Sequence, residues 1–281
     1  MRSVFLDLWR ILAISLLLIS HIAQVFNHPL GKGIFDNQIY TFALGYIAVT
    51  FFIILSGITL EINYGVRSLP YLKFIKKRLL KIYPLYWLAL LFSILIFIIK
   101  MFSEATDKSV YNWQAFSFLN LSCSFLGFCS FIGKYGGPFL GTGWFIGLII
   151  TLYFFFPVIS KLMKKDGILV LFITLITSLV VRLILTNSWT QEWMPLSRIF
   201  EFSLGVFLAQ KIPSKFWLGL NFRPFINKFV SYLSEISFPL FLVHFPLQFL
   251  ATYSIIAFLF ISIVISHLLL VISKKAITLV L

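Results

Sequence analysis

The feature that most constrains this chain is a series of long apolar stretches that carry almost no charge. A helix of about 20 residues crosses the hydrocarbon core of a bilayer, which is roughly 30 Å thick, and several stretches reach this length. Only 11% of the 281 residues are charged, whereas a soluble domain carries about 25%. A water-soluble fold of this size could not cover its surface with so few charged side chains. The sequence therefore predicts an all-α integral membrane protein and excludes a soluble one.

The apolar stretches predict a polytopic bundle of about eight transmembrane helices in a single domain over residues 1–281. The first stretch resembles a secretory signal, but Asp7 and Arg10 interrupt it and no cleavage site follows, so it is predicted to be a retained helix. Residues 114–133 are apolar but rich in Ser, Asn and Cys, and we expect a re-entrant or surface element on the outer side. The predicted helices cover about 4–25, 39–62, 82–102, 144–163, 167–185, 196–210, 229–250 and 253–273.

The net charge of +14 is distributed as in a membrane protein. With residues 114–133 not crossing, most Lys and Arg residues fall in segments on one side, which the positive-inside rule makes cytoplasmic. Both termini are therefore predicted to be cytoplasmic, in the cytoplasmic membrane of a bacterium or archaeon, with lipid as a partner. No helix-turn-helix or zinc-finger pattern is present, so nucleic acid is excluded as a partner.

The two cysteines, Cys123 and Cys129, lie in one apolar stretch. A single pair indicates neither a disulfide framework nor a metal site. We therefore expect these side chains to pack in an apolar environment, and we expect no bound metal.

The first predicted helix carries Asp7, Arg10, His21, Gln24 and His28. At 100° per residue these positions fall on one stripe of the helix surface. Ionisable groups inside a span are costly unless they face a partner or water, which favours a functional role. The structural alternative is an Asp7–Arg10 pair at the cytoplasmic interface, with His21 only hydrogen-bonded.

Two later helices carry polar residues at helical spacing. Arg198 and Glu201 are three residues apart, and Ser237 and His244 are seven apart, so each pair shares a helix face. Either pair alone could serve packing between helices. Together with the stripe on the first helix, they predict a common polar cavity.

The most basic loop follows the second predicted helix. Topology alone would place lysines there, and Lys73, Lys76 and Lys77 need no further explanation. Arg78 and Lys81 lie one turn apart, where they could face a phosphate-bearing ligand at the membrane surface.

These residues follow the motif order of the acyltransferase-3 family, integral-membrane enzymes that acylate extracytoplasmic sugars. The chain resembles that family from its first to its seventh predicted helix, beginning with D-x-x-R and a later His at Asp7, Arg10 and His21. The further blocks are AVTFFIILSG ending at Ser56 and Gly57, RLLKIYPLY from Arg78 to Tyr86, WFIGLIITLYFFFP from Trp144 through Tyr153 to Pro157, R…F-x-x-G from Arg198 to Gly205, and SFPLFLVH from Ser237 to His244. Departures from the usual motifs stand at Ala48, Lys81, Ile149, Phe238 and Phe241.

The resemblance implies an acyltransferase that moves an acyl group, typically acetyl from acetyl-coenzyme A on the cytoplasmic side, to a hydroxyl of an extracytoplasmic sugar or glycoconjugate. We expect His21 to be the general base, with Asp7 and Arg10 setting the electrostatics of the catalytic site. Arg78 and Lys81 would hold the phosphates of the acyl-coenzyme A donor. The predicted substrate-binding residues are Arg198, Glu201, Ser237, His244, Trp144 and Tyr153.

Several alternatives stay open at this point. No G-x-S-x-G elbow or catalytic Cys motif is present, which favours direct transfer, with a transient acyl-His as the other route. The rival function is a transporter or flippase for a lipid-linked sugar or an anion, although no inverted repeat is visible. A purely structural membrane protein is the third alternative. The acceptor is open among polysaccharide, peptidoglycan, glycolipid and small glycoside, and a homo-oligomer is compatible with the sequence.

Overall fold

The structure is a computed structural model that describes residues 3–26, 38–65, 70–104, 113–132, 137–185 and 193–280. Over these ranges the chain forms helices and connecting turns, with no strand. The α-helices are α1 Val4–Phe26, α2 Gln38–Tyr64, α3 Tyr71–Glu104, α4 Phe118–Leu126, α5 Trp144–Lys165, α6 Gly167–Ile184, α7 Ile199–Lys211, α8 Ser214–Leu218, α9 Pro224–Leu247 and α10 Ile255–Val280. Short 3-10 helices cover Trp113–Phe116, Cys129–Ile132, Gly141–Gly143, Pro195–Arg198 and Gln248–Thr252.

Seven of the described helices are long and apolar enough to cross a membrane. The predicted all-α, polytopic class is thereby confirmed, and the protein is a multi-pass membrane protein. The sixth predicted span corresponds to α7, which is not among these seven helices. It has only 13 residues and therefore rises about 20 Å. It begins after the 3-10 turn Pro195–Arg198. Helix α3 begins at Tyr71 rather than near residue 82, since the basic segment continues the helix.

The described chain divides into two compact units. Unit one comprises Met1–Lys77 and Thr151–Phe238, and unit two comprises Arg78–Ile150 and Pro239–Leu281. The prediction of one functional domain over residues 1–281 stays a prediction, and each unit is described by itself.

Within unit one, α2 packs closely against both α1 and α7. A Cβ atom on Gly57 would lie 2.3 Å from the backbone oxygen of Phe202, and one on Gly205 would lie 2.2 Å from that of Ile54. The backbones of α2 and α7 are therefore in direct contact, and only glycine leaves room for the other helix. This contact explains why the two glycines end their motif blocks.

Within unit two, the segment predicted to be re-entrant does not form a spanning helix, since α4 has only nine residues. We call residues 113–132 and 137–143 the hairpin segment. Its two arms meet α3 near Phe97, whose ring centroid lies 5.8 Å from that of Phe116 and 5.3 Å from that of Phe139. Its tip reaches Tyr83, whose hydroxyl donates to the Leu126 carbonyl at 2.8 Å. The hairpin segment therefore follows α3 for about 21 Å, which favours the re-entrant form over the surface form.

Three aromatic donors of α3 hold the tip of the hairpin segment. Besides Tyr83, the Tyr86 hydroxyl donates to the Ser124 carbonyl, and the Trp87 indole donates to the Phe125 carbonyl at 3.0 Å. These carbonyls lie in the last turn of α4, where the helix interior offers no partner, and that of Ser124 also accepts from the Gly127 N–H of the helix cap at 3.2 Å. The aromatic residues in and beside the RLLKIYPLY block thus anchor the hairpin segment.

The expectation that the cysteines serve only packing is wrong. Cys123 and Cys129 form a disulfide across the tip of the hairpin segment. The chain turns there at Gly127, which caps α4 with a positive φ of 76° that glycine adopts without strain. The sequence did not reveal this pairing because the turn that brings the two side chains together is a three-dimensional feature.

We expect the Cys123→Ser, Cys129→Ser double variant to lower the free energy of unfolding by about 2 kcal/mol, since a disulfide restricts the unfolded chain. Thermal unfolding of purified protein in detergent, with and without reductant, measures the effect. Reductant should shift the melting temperature of the wild type and leave that of the double variant unchanged. A reductant effect of equal size in both proteins would contradict the prediction.

Candidate functional site

An ion pair near the start of α1 joins three helices of unit one. Asp7 is 1% exposed, and its Oδ1 accepts from Arg10 Nη1 at 2.7 Å and from Ser234 Oγ at 2.7 Å. Arg10 Nη2 also donates to Thr59 Oγ1 on α2 at 2.8 Å. Asp7 lies in the first turn of α1, where the helix dipole favours a negative charge. The pair consists of one carboxylate and one guanidinium, and these hydrogen bonds fix the positions of both groups.

His21 lies on α1 about 16 Å beyond Arg10, by the helical rise. Its side chain is partly exposed and hydrogen-bonds Gln24. Gln24 Nε2 in turn donates to Ser20 Oγ at 3.3 Å. A Cβ atom on Gly45 of α2 would lie 3.0 Å from the same Ser20 oxygen, so α1 and α2 approach closely here. His21 and Gln24 therefore lie beside each other on α1, whereas His28 lies outside the described residues.

A second charged cluster of unit one surrounds the start of α7. Arg198 Nη1 donates to Glu201 Oε1 at 3.1 Å and to Thr50 Oγ1 on α2 at 3.1 Å. Arg182 Nη2 on α6 donates to the same Glu201 oxygen at 3.2 Å and to the Ser197 carbonyl at 3.1 Å. The structure thus brings the predicted pair Arg198 and Glu201 together and adds Arg182 to it.

The other predicted residues of unit one have more local contacts. Ser237 Oγ donates to the Ser234 carbonyl at 2.7 Å, which ties it to its own helix α9. The ring of Tyr153 lies 6.5 Å from that of Phe202, measured between centroids. Neither contact indicates a substrate, so the substrate-binding roles of Ser237 and Tyr153 stay predictions.

In unit two, His244 is fully buried and oriented by its own helix. Its Nδ1 lies 3.1 Å from the Leu240 carbonyl, which can only accept, so Nδ1 carries the proton and Nε2 is the basic nitrogen of the neutral ring. The Phe241 ring lies 6.1 Å from the His244 ring and 5.0 Å from that of Phe145. The Trp144 ring packs edge to face against the Phe145 ring, with 5.8 Å between their centroids. Aromatic rings thus connect Trp144 to His244.

Arg78 and Lys81 lie one turn apart on α3 in unit two, as the sequence predicts. Arg78 is partly buried and Lys81 is exposed. Such a pair can present a fixed guanidinium and a mobile ammonium group to one phosphate-bearing ligand.

Two residues that complete these clusters, Ser234 and Arg182, are not among the predicted site residues. Each had a signal: Ser234 lies one turn before Ser237, and Arg182 is an ionisable residue inside a predicted span. Over the part of the chain that the structure describes, no group of three or more His, Cys, Asp or Glu side chains could hold a metal ion.

Comparison with known proteins gives one match. The family model described as an acyltransferase domain, of the acyltransferase-3 type, matches residues 3–216. These residues include both charged clusters of unit one except for Ser234. No curated protein and no solved structure matches the chain.

Proposed function

Since the chain belongs to the acyltransferase-3 family, we propose that it transfers an acyl group from acyl-coenzyme A to a hydroxyl of an extracytoplasmic sugar or glycoconjugate. The acyl group is acetyl in this proposal, and the acceptor hydroxyl belongs to a carbohydrate or glycolipid. The protein acts in the cytoplasmic membrane, with both termini in the cytoplasm.

The observation that carries the proposal is the environment of His21. A general base must reach the proton that it removes, and His21 is partly exposed on the helix that also carries the Asp7–Arg10 pair. The other candidate imidazole, His244, is 0% exposed. His21 is therefore the better base, and a substrate-binding role for His244 stays a prediction.

In the proposed reaction, His21 takes the proton of the acceptor hydroxyl while the hydroxyl oxygen attacks the thioester carbonyl carbon. The carbon–sulfur bond then breaks, and its electron pair leaves on the sulfur. The proton held by His21 neutralises that thiolate, which leaves as coenzyme A. Asp7 and Arg10 are proposed to set the electrostatic potential and the side-chain geometry at the other end of the same helix stripe. Arg198, Glu201, Ser237, Trp144 and Tyr153 are proposed to bind the thioester or the acceptor.

The test is coenzyme A release from acetyl-coenzyme A by the detergent-purified protein, with a mixture of polysaccharide and glycolipid acceptors. Wild-type turnover that is lost in His21→Ala supports the proposal. A transporter or flippase would release no coenzyme A, so silence of the wild type would contradict the proposal.

We expect Arg78→Ala to raise KM for acetyl-coenzyme A about tenfold or more, with kcat within about threefold of the wild type. The reason is the loss of a charge-assisted hydrogen bond to a donor phosphate, worth about 1.5–3 kcal/mol. Lys73→Ala is the matched control, since Lys73 is an exposed basic residue of the same helix outside the motif. Equal changes of KM in the two variants would count against a donor site at Arg78.

A further inference from the structure

Basic and aromatic side chains alternate in the chain from the end of α7 into the first turns of α9. No acidic residue stands between positions 211 and 234. Exposed there are the basic residues Lys215, Arg223 and Lys228 and the rings of Phe216, Phe225 and Phe229. Such side chains occur together where a protein meets the head groups of a bilayer, because the rings insert among the lipids while the charges stay at the surface. The segment therefore has the composition of a membrane-surface element.

The structure places this segment at the end of unit one where α1 begins. The Ser3 hydroxyl donates to the carbonyl of Trp217 on α8, and the Trp217 side chain is buried. On α9, Ser234 Oγ donates to Asp7 Oδ1 at 2.7 Å. The candidate membrane span of α1 begins at Val4, one turn before Asp7. Helix α8 and the α9 residues before Ser234 thus lie at the level where α1 enters the membrane.

The length of α9 leads to the same depth. Its candidate span covers the 29 residues Pro224–Thr252, which rise about 42 Å in helical geometry. The hydrocarbon core of a bilayer is only roughly 30 Å thick. Since the polar side chains of this span are concentrated in its first part, the excess length belongs there. The first turns of α9 therefore lie in the head-group layer.

These turns line an open pocket of about 310 Å³, which is at the lower end of the usual range for small-molecule sites. The lining side chains are Asn227, Lys228, Ser231, Tyr232 and Glu235. The Lys228 ammonium can bind a phosphate, and the two hydroxyl groups can donate to phosphate oxygens. A carboxylate has about four acceptor positions, so Glu235 can accept from a ligand hydroxyl besides its interactions within the protein.

Asn227 fixes the rim of this pocket. Its Oδ1 accepts from the Phe222 N–H at 3.1 Å, and its Nδ2 donates to the Phe222 carbonyl at 3.1 Å. The Asn227 N–H also donates to the Arg223 carbonyl at 3.1 Å. These bonds hold the loop before α9 against the first turn of the helix. The backbone that carries Arg223 is therefore kept beside the turn that carries Lys228.

We propose that this pocket binds the head group of an anionic glycerophospholipid of the phosphatidylglycerol class, a phosphodiester with one negative charge and free hydroxyl groups. Lys228 binds the phosphate, Ser231 and Tyr232 donate to its oxygens, and Glu235 accepts from the head-group hydroxyls. The exposed ring of Phe229 inserts among the neighbouring lipids. The pocket residues lie outside residues 3–216, which the family model matches, so the site is independent of the proposed acyl transfer.

The test is lipid binding by the delipidated full chain in detergent, measured by native mass spectrometry. The protein is titrated with phosphatidylglycerol or with phosphatidylcholine of the same acyl chains. We expect the wild type to bind the first phosphatidylglycerol molecule with a Kd about tenfold lower than that for phosphatidylcholine. The reason is a charge-assisted hydrogen bond from Lys228 together with head-group hydroxyls that choline lacks.

Lys228→Gln should bring the two Kd values within about threefold of each other, and Lys228→Arg should keep the preference. Lys161→Gln is the matched control, since Lys161 is an exposed lysine near the end of α5 and does not line the pocket. It should retain the tenfold preference. Lys228 is exposed, so the melting temperatures of these variants in lipid-free detergent should equal that of the wild type.

Equal loss of the preference in Lys161→Gln and Lys228→Gln would overturn the inference in favour of a general attraction between lysines and anionic lipid. A wild type with no preference, or a preference kept in Lys228→Gln, would also overturn it. Displacement of the bound lipid by millimolar glycerol 3-phosphate would assign the pocket to a soluble phosphate ester instead. Absence of coenzyme A release by the wild type would contradict the proposed function and leave this lipid site standing.

Discussion

Replacement of His21 by glutamine should lower kcat for acyl transfer by about 10²–10⁴-fold, the usual contribution of a positioned general base. Glutamine has a similar reach and can form hydrogen bonds, but it cannot take up a proton from the acceptor hydroxyl. KM for acetyl-coenzyme A should stay close to that of the wild type, since donor phosphates are assigned to Arg78 and Lys81. Coenzyme A release over a range of donor concentrations measures both quantities.

The control for this variant is His267→Gln. His267 is an exposed histidine of α10, also within a membrane-spanning helix, and it has no place in the proposed reaction. It should retain wild-type kcat. If His21→Gln kept a third or more of the wild-type kcat, His21 would not be the base.

Replacement of Gly57 by alanine should destabilise unit one by about 1–3 kcal/mol, the usual cost of added volume in a packed core. The new Cβ atom would lie 2.3 Å from the Phe202 backbone oxygen and 3.1 Å from the Val206 backbone nitrogen. Neither atom can move without shifting α7. Because alanine is the better helix former by about 1 kcal/mol, a loss of stability would report the contact between the helices.

Gly167→Ala is the matched control for the helix crossing. Its Cβ atom would lie 2.9 Å from ring atoms of Phe207, and a side chain at that position can rotate away. We expect a melting temperature in detergent near that of the wild type for Gly167→Ala and a clearly lower one for Gly57→Ala. Equal melting temperatures would show that the backbones of α2 and α7 tolerate separation.

Much of the candidate site could be predicted from the sequence because it obeys helical periodicity. Asp7 and Arg10 lie one turn apart on α1, and Arg198 and Glu201 lie one turn apart at the start of α7, so each pair could be recognised from its spacing. The same holds for His21 and Gln24. Charged side chains inside long apolar stretches are also rare enough to be noticed singly.

The partners that come from distant helices could not be predicted. Ser234 donates to Asp7 across 227 positions of the chain, and Arg198 reaches Thr50 across 148. Glu61 shows the same limit: it is 5% exposed and its Oε1 accepts from Gln210 Nε2 at 3.0 Å. Serine, threonine and glutamine are common on helices, and nothing local distinguishes the one that meets a charge.

The sequence by itself determined that this protein folds in a lipid bilayer, that it is helical, to which family it belongs and which helices carry the ionisable groups. Hydrophobicity, length and helical periodicity are local properties of the chain, and they suffice for those conclusions. Only the tertiary structure decided that the guanidinium groups of Arg182 and Arg198 share one carboxylate, that α2 and α7 touch at Gly57 and Gly205, and that the two cysteines are joined. These features depend on which helix faces meet, and the free energy of that choice is spread over packing contacts between residues far apart in the chain.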